Sequence, residues 1–108
     1  MYTEMVAHRG YSLSRYVDLV STNAARIMGL YPKKGAIAVG SDADVVVWDP
    51  ERPQSLDAAA LHMRTDHSPY EGRVVRGWPE LVLSRGRVIA RDGRFHGEPG
   101  WGRYVERR

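Results

Sequence analysis

Two hydrophobic rhythms divide the chain. Leu13, Tyr16, Val17 and Val20 recur at the i, i+3, i+4, i+7 spacing of a buried helical stripe. Ser12 stands ahead of the stripe as an N-cap. Ser21-Thr22-Asn23 reads as a stop and a new cap, Ala24 to Met28 as a short second helix, and Gly29 as its C′ residue. Residues 2–8 read as the end of another helix.

From Tyr31 the rhythm becomes β. Ala36-Ile37-Ala38-Val39 is a short strand or an extended arm. Asp44-Val45-Val46-Val47-Trp48-Asp49 is a β-branched run with apolar side chains on both faces, the pattern of a strand covered on both sides. Pro32, Gly35, Gly40, Pro50 and Pro53 punctuate this region. Ser55 to Leu61 reads as one helical turn or two, and His67-Ser68-Pro69-Tyr70 as a loop. Gly72 to Gly77 is a strand. Leu81 to Ser84 and Arg87 to Arg91 form a hairpin about Arg85-Gly86, and Asp92-Gly93 is a second tight turn. Gly97 to Gly102 holds too much Gly and Pro for a regular element, and Trp101, Tyr104 and Val105 need something to pack on. Helices in one block followed by strands predict an α+β arrangement.

Size and composition bound the function. A (β/α)₈ barrel takes about 250 residues, and this chain has 108. At 43% hydrophobic and 27% charged it has globular composition. It has no cysteine, which excludes a disulfide framework, a thiolate zinc site and a cysteine nucleophile and fits a cytoplasmic location. No apolar run is long enough to span a membrane. Sixteen basic against 13 acidic side chains give a net charge of +3. Residues 55–108 hold ten of the basic ones, all arginine. That is a thin footprint for nucleic acid, so no nucleic-acid partner is expected.

The candidate chemistry is sparse. His8, His62, His67 and His96 show neither His-x-His nor helical i, i+4 spacing, and His62, Asp66 and His67 come nearest to a cluster. Asp42 and Asp44 lack the remaining acidic positions of a calcium loop and are expected to accept backbone hydrogen bonds at the strand entry. The glycines at 35, 40, 72, 77, 86 and 93 never form a phosphate loop. Ser68 and Ser84 have no paired histidine in an elbow context. Lys33 and Lys34, between a Pro and a Gly, read as an exposed turn.

The stretch Ser21-Thr22-Asn23-Ala24-Ala25-Arg26-Ile27-Met28-Gly29-Leu30-Tyr31-Pro32-Lys33-Lys34-Gly35 resembles cyclic amidohydrolases of the dihydropyrimidinase and hydantoinase type. It runs into Ile37, Gly40 and Ser41-Asp42-Ala43-Asp44-Val45-Val46-Val47-Trp48-Asp49-Pro50, similar to the broader amidohydrolase pattern. His62-Met63-Arg64-Thr65-Asp66, Ser68-Pro69-Tyr70-Glu71-Gly72, Ser84-Arg85-Gly86 and Gly97 to Val105 extend the resemblance over nearly the whole chain. It implies a parent enzyme several times longer. That enzyme would have a (β/α)₈ barrel and a two-metal site, usually zinc, bridged by a carboxylated lysine. A His-x-His pair, two further histidines and an aspartate would complete the ligands, and both chain termini would build a β-sandwich domain.

On that resemblance this chain is the C-terminal part, an incomplete fold. Residues 1–30 would be the terminal helices associated with the barrel, 31–96 a sandwich segment with its hairpin, and 97–108 the tail. Met1 falls where the family continues a helix, so a truncated start is expected. No position matches the family's ligand or substrate motifs. Catalytic, cofactor-binding and metal residues are therefore expected to be none, and the two zinc ions belong to the full-length enzyme. Lys33 and Lys34 stand in the turn that enters the sandwich and are not the bridging lysine. The implied role is scaffold plus a subunit contact through the tail, inactive alone. The partners would be a second copy or the missing N-terminal part. A stand-alone assembly module is the alternative reading, and an arginine-mediated nucleic-acid binder a weaker one.

Overall fold

Ser12 caps as its position predicts. Its Oγ accepts a hydrogen bond from the Arg15 amide at 3.2 Å, and α1 (Leu13–Val17) begins at the next residue. The structure, a computed structural model, describes residues 1–62 and 64–107. Met63, in one of the stretches that carry the resemblance, and Arg108, the last residue of the expected tail, lie outside the described residues.

The expected stop at Ser21-Thr22-Asn23 does not occur. Asp18–Thr22 continues α1 as a π-helical turn, and α2 (Asn23–Ile27) follows without a break. Thr22 keeps helical backbone angles (φ −64°, ψ −50°). Its hydroxyl does not cap a new helix; it donates to the Gly35 carbonyl at 2.9 Å. A Ser-Thr-Asn run signals a cap only when its side chains turn back on the local backbone. At the other end Gly29 takes a left-handed φ of 68°. The Leu30 amide reaches the Ala25 carbonyl and the Gly29 amide the Arg26 carbonyl, which is a Schellman closure. Residues Thr3–His8 are helical as expected, as a separate π-helical segment. After a cis Tyr31–Pro32 bond the chain turns at Gly35, whose φ is 77°. A Cβ there would lie 2.5 Å from the Ala25 Cβ, so the turn packs on buried Ala25 only as glycine.

Residues 36–39 form no strand; they make an arm on which Ile37 and Val39 are exposed. Four antiparallel strands follow in the order β1 (Val45–Ser55), β2 (Val74–Ser84), β3 (Arg87–Arg91) and β4 (Arg94–Phe95). The turns Arg85-Gly86 (φ 46° and 80°) and Asp92-Gly93 (φ 49° and 77°) both have the paired positive φ of type I′ hairpins. The structure joins two pairs of segments that the punctuation separates. β1 runs through Pro50 and Pro53, with its register slipping between Asp49↔Trp78 and Pro53↔Arg76. Being an edge strand, β1 can hold prolines without losing ladder bonds. β2 likewise runs through Gly77 and Pro79, with a second slip opposite Val47 and Trp48. The Ser55–Leu61 region contracts to one turn held by Asp57, whose side chain accepts the Ala60 amide at 2.7 Å.

The helical block is stitched to the sheet through the first three residues. Tyr2 is buried, with its ring 5.6 Å from Tyr16 edge-on and 5.4 Å from Trp48. Thr3 Oγ1 donates to the Arg76 carbonyl at 2.8 Å and accepts the Arg76 amide at 2.9 Å. Gly77, with φ 90°, lets the Tyr2 ring approach β2 closely: a Cβ there would lie 2.5 Å from Tyr2 Cδ1.

Burial elsewhere is thin. Among the described residues the buried hydrophobic side chains are Tyr2, Ala25 and Ala58. The Cα radius of gyration is 15.2 Å, against about 13 Å expected for a compact chain of this length. The expectation that β1 is covered on both faces fails among the described residues: Val46 and Val47, adjacent in the strand and so on opposite faces of it, are 51% and 44% exposed. No helix among the described residues is long and apolar enough to cross a membrane.

Candidate functional site

The densest polar junction lies where the Lys33-Lys34 turn meets the entry to β1. The Lys34 ammonium sits between two carboxylates, 2.8 Å from Asp42 Oδ2 and in contact with Asp44 Oδ2. The other Asp44 oxygen accepts the Arg85 amide at 2.8 Å, tying the β1 entry to the β2–β3 hairpin. The Gly86 amide donates to the Ala43 carbonyl and the Asp42 amide to the Lys33 carbonyl, completing the knot. Asp44 thus takes a backbone hydrogen bond as its position predicts. Lys34 departs from the expected exposed turn: its side chain is half-buried as the counterion of both aspartates, whereas Lys33 is exposed.

Burial opposes both charges of this pair, yet the pairing prevails. Desolvation pulls the Lys34 amine down, and its hydrogen bonds to Asp42 and Asp44 more than reverse that, leaving it above the usual lysine range. Desolvation pushes Asp44 up, and the Lys34 ammonium and the Arg85 amide hold it below the usual carboxylate range.

The tail closes over the same corner. Trp101 Nε1 donates to the Ser84 carbonyl at 3.2 Å and to Ser84 Oγ at 3.3 Å. The guanidinium groups of Arg85 and Arg87 lie 4.4 and 5.2 Å from the indole centroid, a cation–π clamp. Arg85 also donates to the Trp101 carbonyl, and Arg87 pairs with Glu98. Farther on, Arg107 Nε donates to the Met28 carbonyl at 3.1 Å, so the tail straps the hairpin to the end of α2. Trp101 therefore packs on its own chain; Tyr104 remains 90% exposed. Between the turn, the hairpin corner and the tail lies a polar cleft of about 310 Å³. A larger, apolar groove of about 620 Å³ opens elsewhere, between the helical stripe and β1, with Leu13, Val17, Val20, Ile37 and Val46 on its walls.

The histidines do not converge. His8 faces Glu4 at 3.3 Å, and His67 faces Asp66 at 2.9 Å. His62 Nε2 contacts the Gly93 carbonyl at 2.9 Å, while His96 is exposed on the far hairpin. The nearest sequence cluster is thereby split, since His62 is engaged with the β3–β4 turn. Among the described residues no three His, Asp or Glu side chains are placed to hold a metal ion. The Asp42–Asp44 pair is already occupied by an ammonium. This donor set does not fit a two-zinc site, and no catalytic step is assigned through one. Ser68 is buried, with its Oγ accepting the Tyr70 amide in a local turn. Ser84 serves Trp101.

Comparison with known proteins gives one consistent answer. The model of a group described as the amidohydrolase family matches residues 1–89. A D-hydantoinase of Ralstonia pickettii is 48% identical over 97 residues, covering 90% of this chain and 21% of that protein. A dihydropyrimidinase of Rattus norvegicus is 47% identical over 94 residues, 87% of this chain and 18% of that protein. A crystal structure of a D-hydantoinase superposes with a TM-score of 0.94 at 44% identity, over 99% of this chain and 23% of the other. This chain thus spans about a fifth of the length of the curated relatives it matches.

Proposed function

The chain belongs to the amidohydrolase family, and from that membership we propose that it serves as the C-terminal scaffold of a hydrolase that opens cyclic amides of the hydantoin or dihydropyrimidine type. One observation carries the reading: near-complete superposition on a D-hydantoinase, at 44% identity, by a chain with less than a quarter of that protein's length. The chain's part is mechanical. The Lys34–Asp42–Asp44 knot fixes where the helical block ends and the sheet begins, and Trp101 fastens the tail over that junction. In the parent enzyme, residues 1–30 would flank a barrel and the four strands would contribute to a sandwich-type domain. Metal binding and chemistry belong to residues outside this chain.

The test is direct. The purified chain, supplied with zinc, should neither bind two equivalents of the metal nor open dihydrouracil or hydantoin. Stoichiometric zinc with turnover would sink the scaffold reading.

A second reading is favoured by the exposure of Val46, Val47, Ile37 and Val39 and by the position of β1 at the edge of the sheet. There the chain acts as an assembly module, pairing with itself or with a separate N-terminal chain through the edge of β1 and these apolar side chains. Light scattering distinguishes the two: a strictly monomeric, heat-stable species excludes self-assembly.

A further inference from the structure

The cleft beside Trp101 holds charge that the fold does not consume. Its volume of about 310 Å³ lies at the lower end of the ~300–1,000 Å³ typical of small-molecule sites. Two of its four cationic side chains are already engaged, Lys34 by Asp42 and Asp44, and Arg85 by the Trp101 carbonyl. Lys33 on the turn and Arg103 on the tail also line it, and neither has an acidic partner among the described residues. Ser84 Oγ accepts from Trp101 Nε1, which leaves its own O–H free to donate. An ammonium, a planar guanidinium and a hydroxyl donor around one small cleft form an oxyanion-binding set.

We propose that this cleft binds a small tetrahedral oxyanion of the phosphate class, held between Lys33 and Arg103 with Ser84 donating. A free anion suits the site better than a nucleic-acid backbone. Asp42 lines the cleft and Glu98 pairs with Arg87 beside it, so a long polyanion meets like charge, and the cleft offers no continuous basic track. Bound there, the anion would join the turn to the tail.

Inorganic phosphate, titrated into the full chain at constant ionic strength balanced with sodium chloride, tests this by calorimetry. Saturable binding to one site is expected, with Lys33→Gln and Arg103→Gln each weakening it at least fivefold. Ser84→Ala, which leaves the net charge unchanged, should weaken it as well. Arg94→Gln, an exposed arginine on β4, should leave it unaltered. Lys33 and Arg103 are exposed, so the first two variants keep the fold, which far-UV circular dichroism checks. Three results would overturn the proposal. They are a response that chloride reproduces, phosphate binding that survives both charge variants, and preferential binding of a single-stranded oligonucleotide at equal phosphate concentration.

Discussion

Gly77→Ala is the sharpest probe of how the helical block is held. At φ 90° an alanine is strained, which costs about 1–2 kcal/mol. Its Cβ would also lie 2.5 Å from Tyr2 Cδ1 and 2.9 Å from Trp48 Nε1. Overpacking of that kind costs a further ~1–3 kcal/mol. The stiffer unfolded chain returns about 0.4–1 kcal/mol, leaving a net loss of about 1–4.5 kcal/mol. Tyr2→Ala alone should cost about 3–4 kcal/mol, as for a large aromatic deleted from a packed site. In the Tyr2→Ala background the clash with the ring is gone and only the backbone strain and the Trp48 contact remain. Gly77→Ala should then cost about 1–2 kcal/mol less than it does in the parent chain. Urea unfolding followed by tryptophan fluorescence and far-UV circular dichroism measures all four corners of the cycle. If Gly77→Ala is neutral, or costs the same in both backgrounds, the Tyr2 ring does not rest on Gly77 and the stitching argument fails.

Lys34→Met takes the counterion from half-buried Asp42 and exposed Asp44 and should lower stability by about 0.5–1 kcal/mol, with the Asp44 titration moving upward in a carboxylate-resolved NMR experiment. The pair also sets a pH window. Asp44, depressed in the folded chain, contributes stability that is complete above its ordinary value of 3.8 and lost as pH falls through its lower folded value. Lys34, raised in the folded chain, contributes stability that is complete below its ordinary value of 10.5 and lost as pH rises through its higher folded value. Acid unfolding of Asp44→Asn should lack the first of these slopes, and a slope identical to the parent's would remove Asp44 from the account. Trp101→Phe keeps a ring under Arg85 and Arg87 but loses the indole donor to Ser84, at about 1 kcal/mol. Tryptic cleavage after Arg103 should quicken in Trp101→Phe and more so in Trp101→Ala, and unchanged rates would show the tail unlatched in the parent.

What the sequence revealed was mostly local. Ser12 capping Arg15, Gly29 closing α2 and the two type I′ turns at Arg85-Gly86 and Asp92-Gly93 each depend on a few neighbouring residues. The misreadings share a cause as well. Thr22 looked like a cap because its partner, the Gly35 carbonyl, lies 13 residues away. Pro50, Pro53 and Gly77 looked like strand ends, because edge position and register slips are decided by pairing and leave no mark on the residues themselves. Lys34 looked like part of an exposed turn for the same reason: its carboxylates, Asp42 and Asp44, come from the far side of the arm. The Thr3–Arg76 pair spans 73 residues and had no local signal at all. The family resemblance rested on many short stretches in order, and such evidence survives even where individual elements are misplaced.

The strand order carries a further consequence, for folding kinetics. Every strand pairs with its neighbour in the chain, yet the two longest strands are not joined alike. β2 and β3 are joined by a two-residue turn, whereas roughly 18 residues separate Ser55 from Val74. Loop closure scaling as (3/2)RT ln n makes the longer connection about 2 kcal/mol more costly to close. The β2–β3 hairpin should therefore form first. β1 should follow once Leu56 exchanges hydrogen bonds with Gly72 and Arg73 at the base of the loop. The N-terminal helices, joined to the sheet across more than 70 residues through Thr3, should dock last. Mutations at Tyr2 or Thr3 should accordingly speed unfolding while leaving the refolding rate of the sheet nearly unchanged.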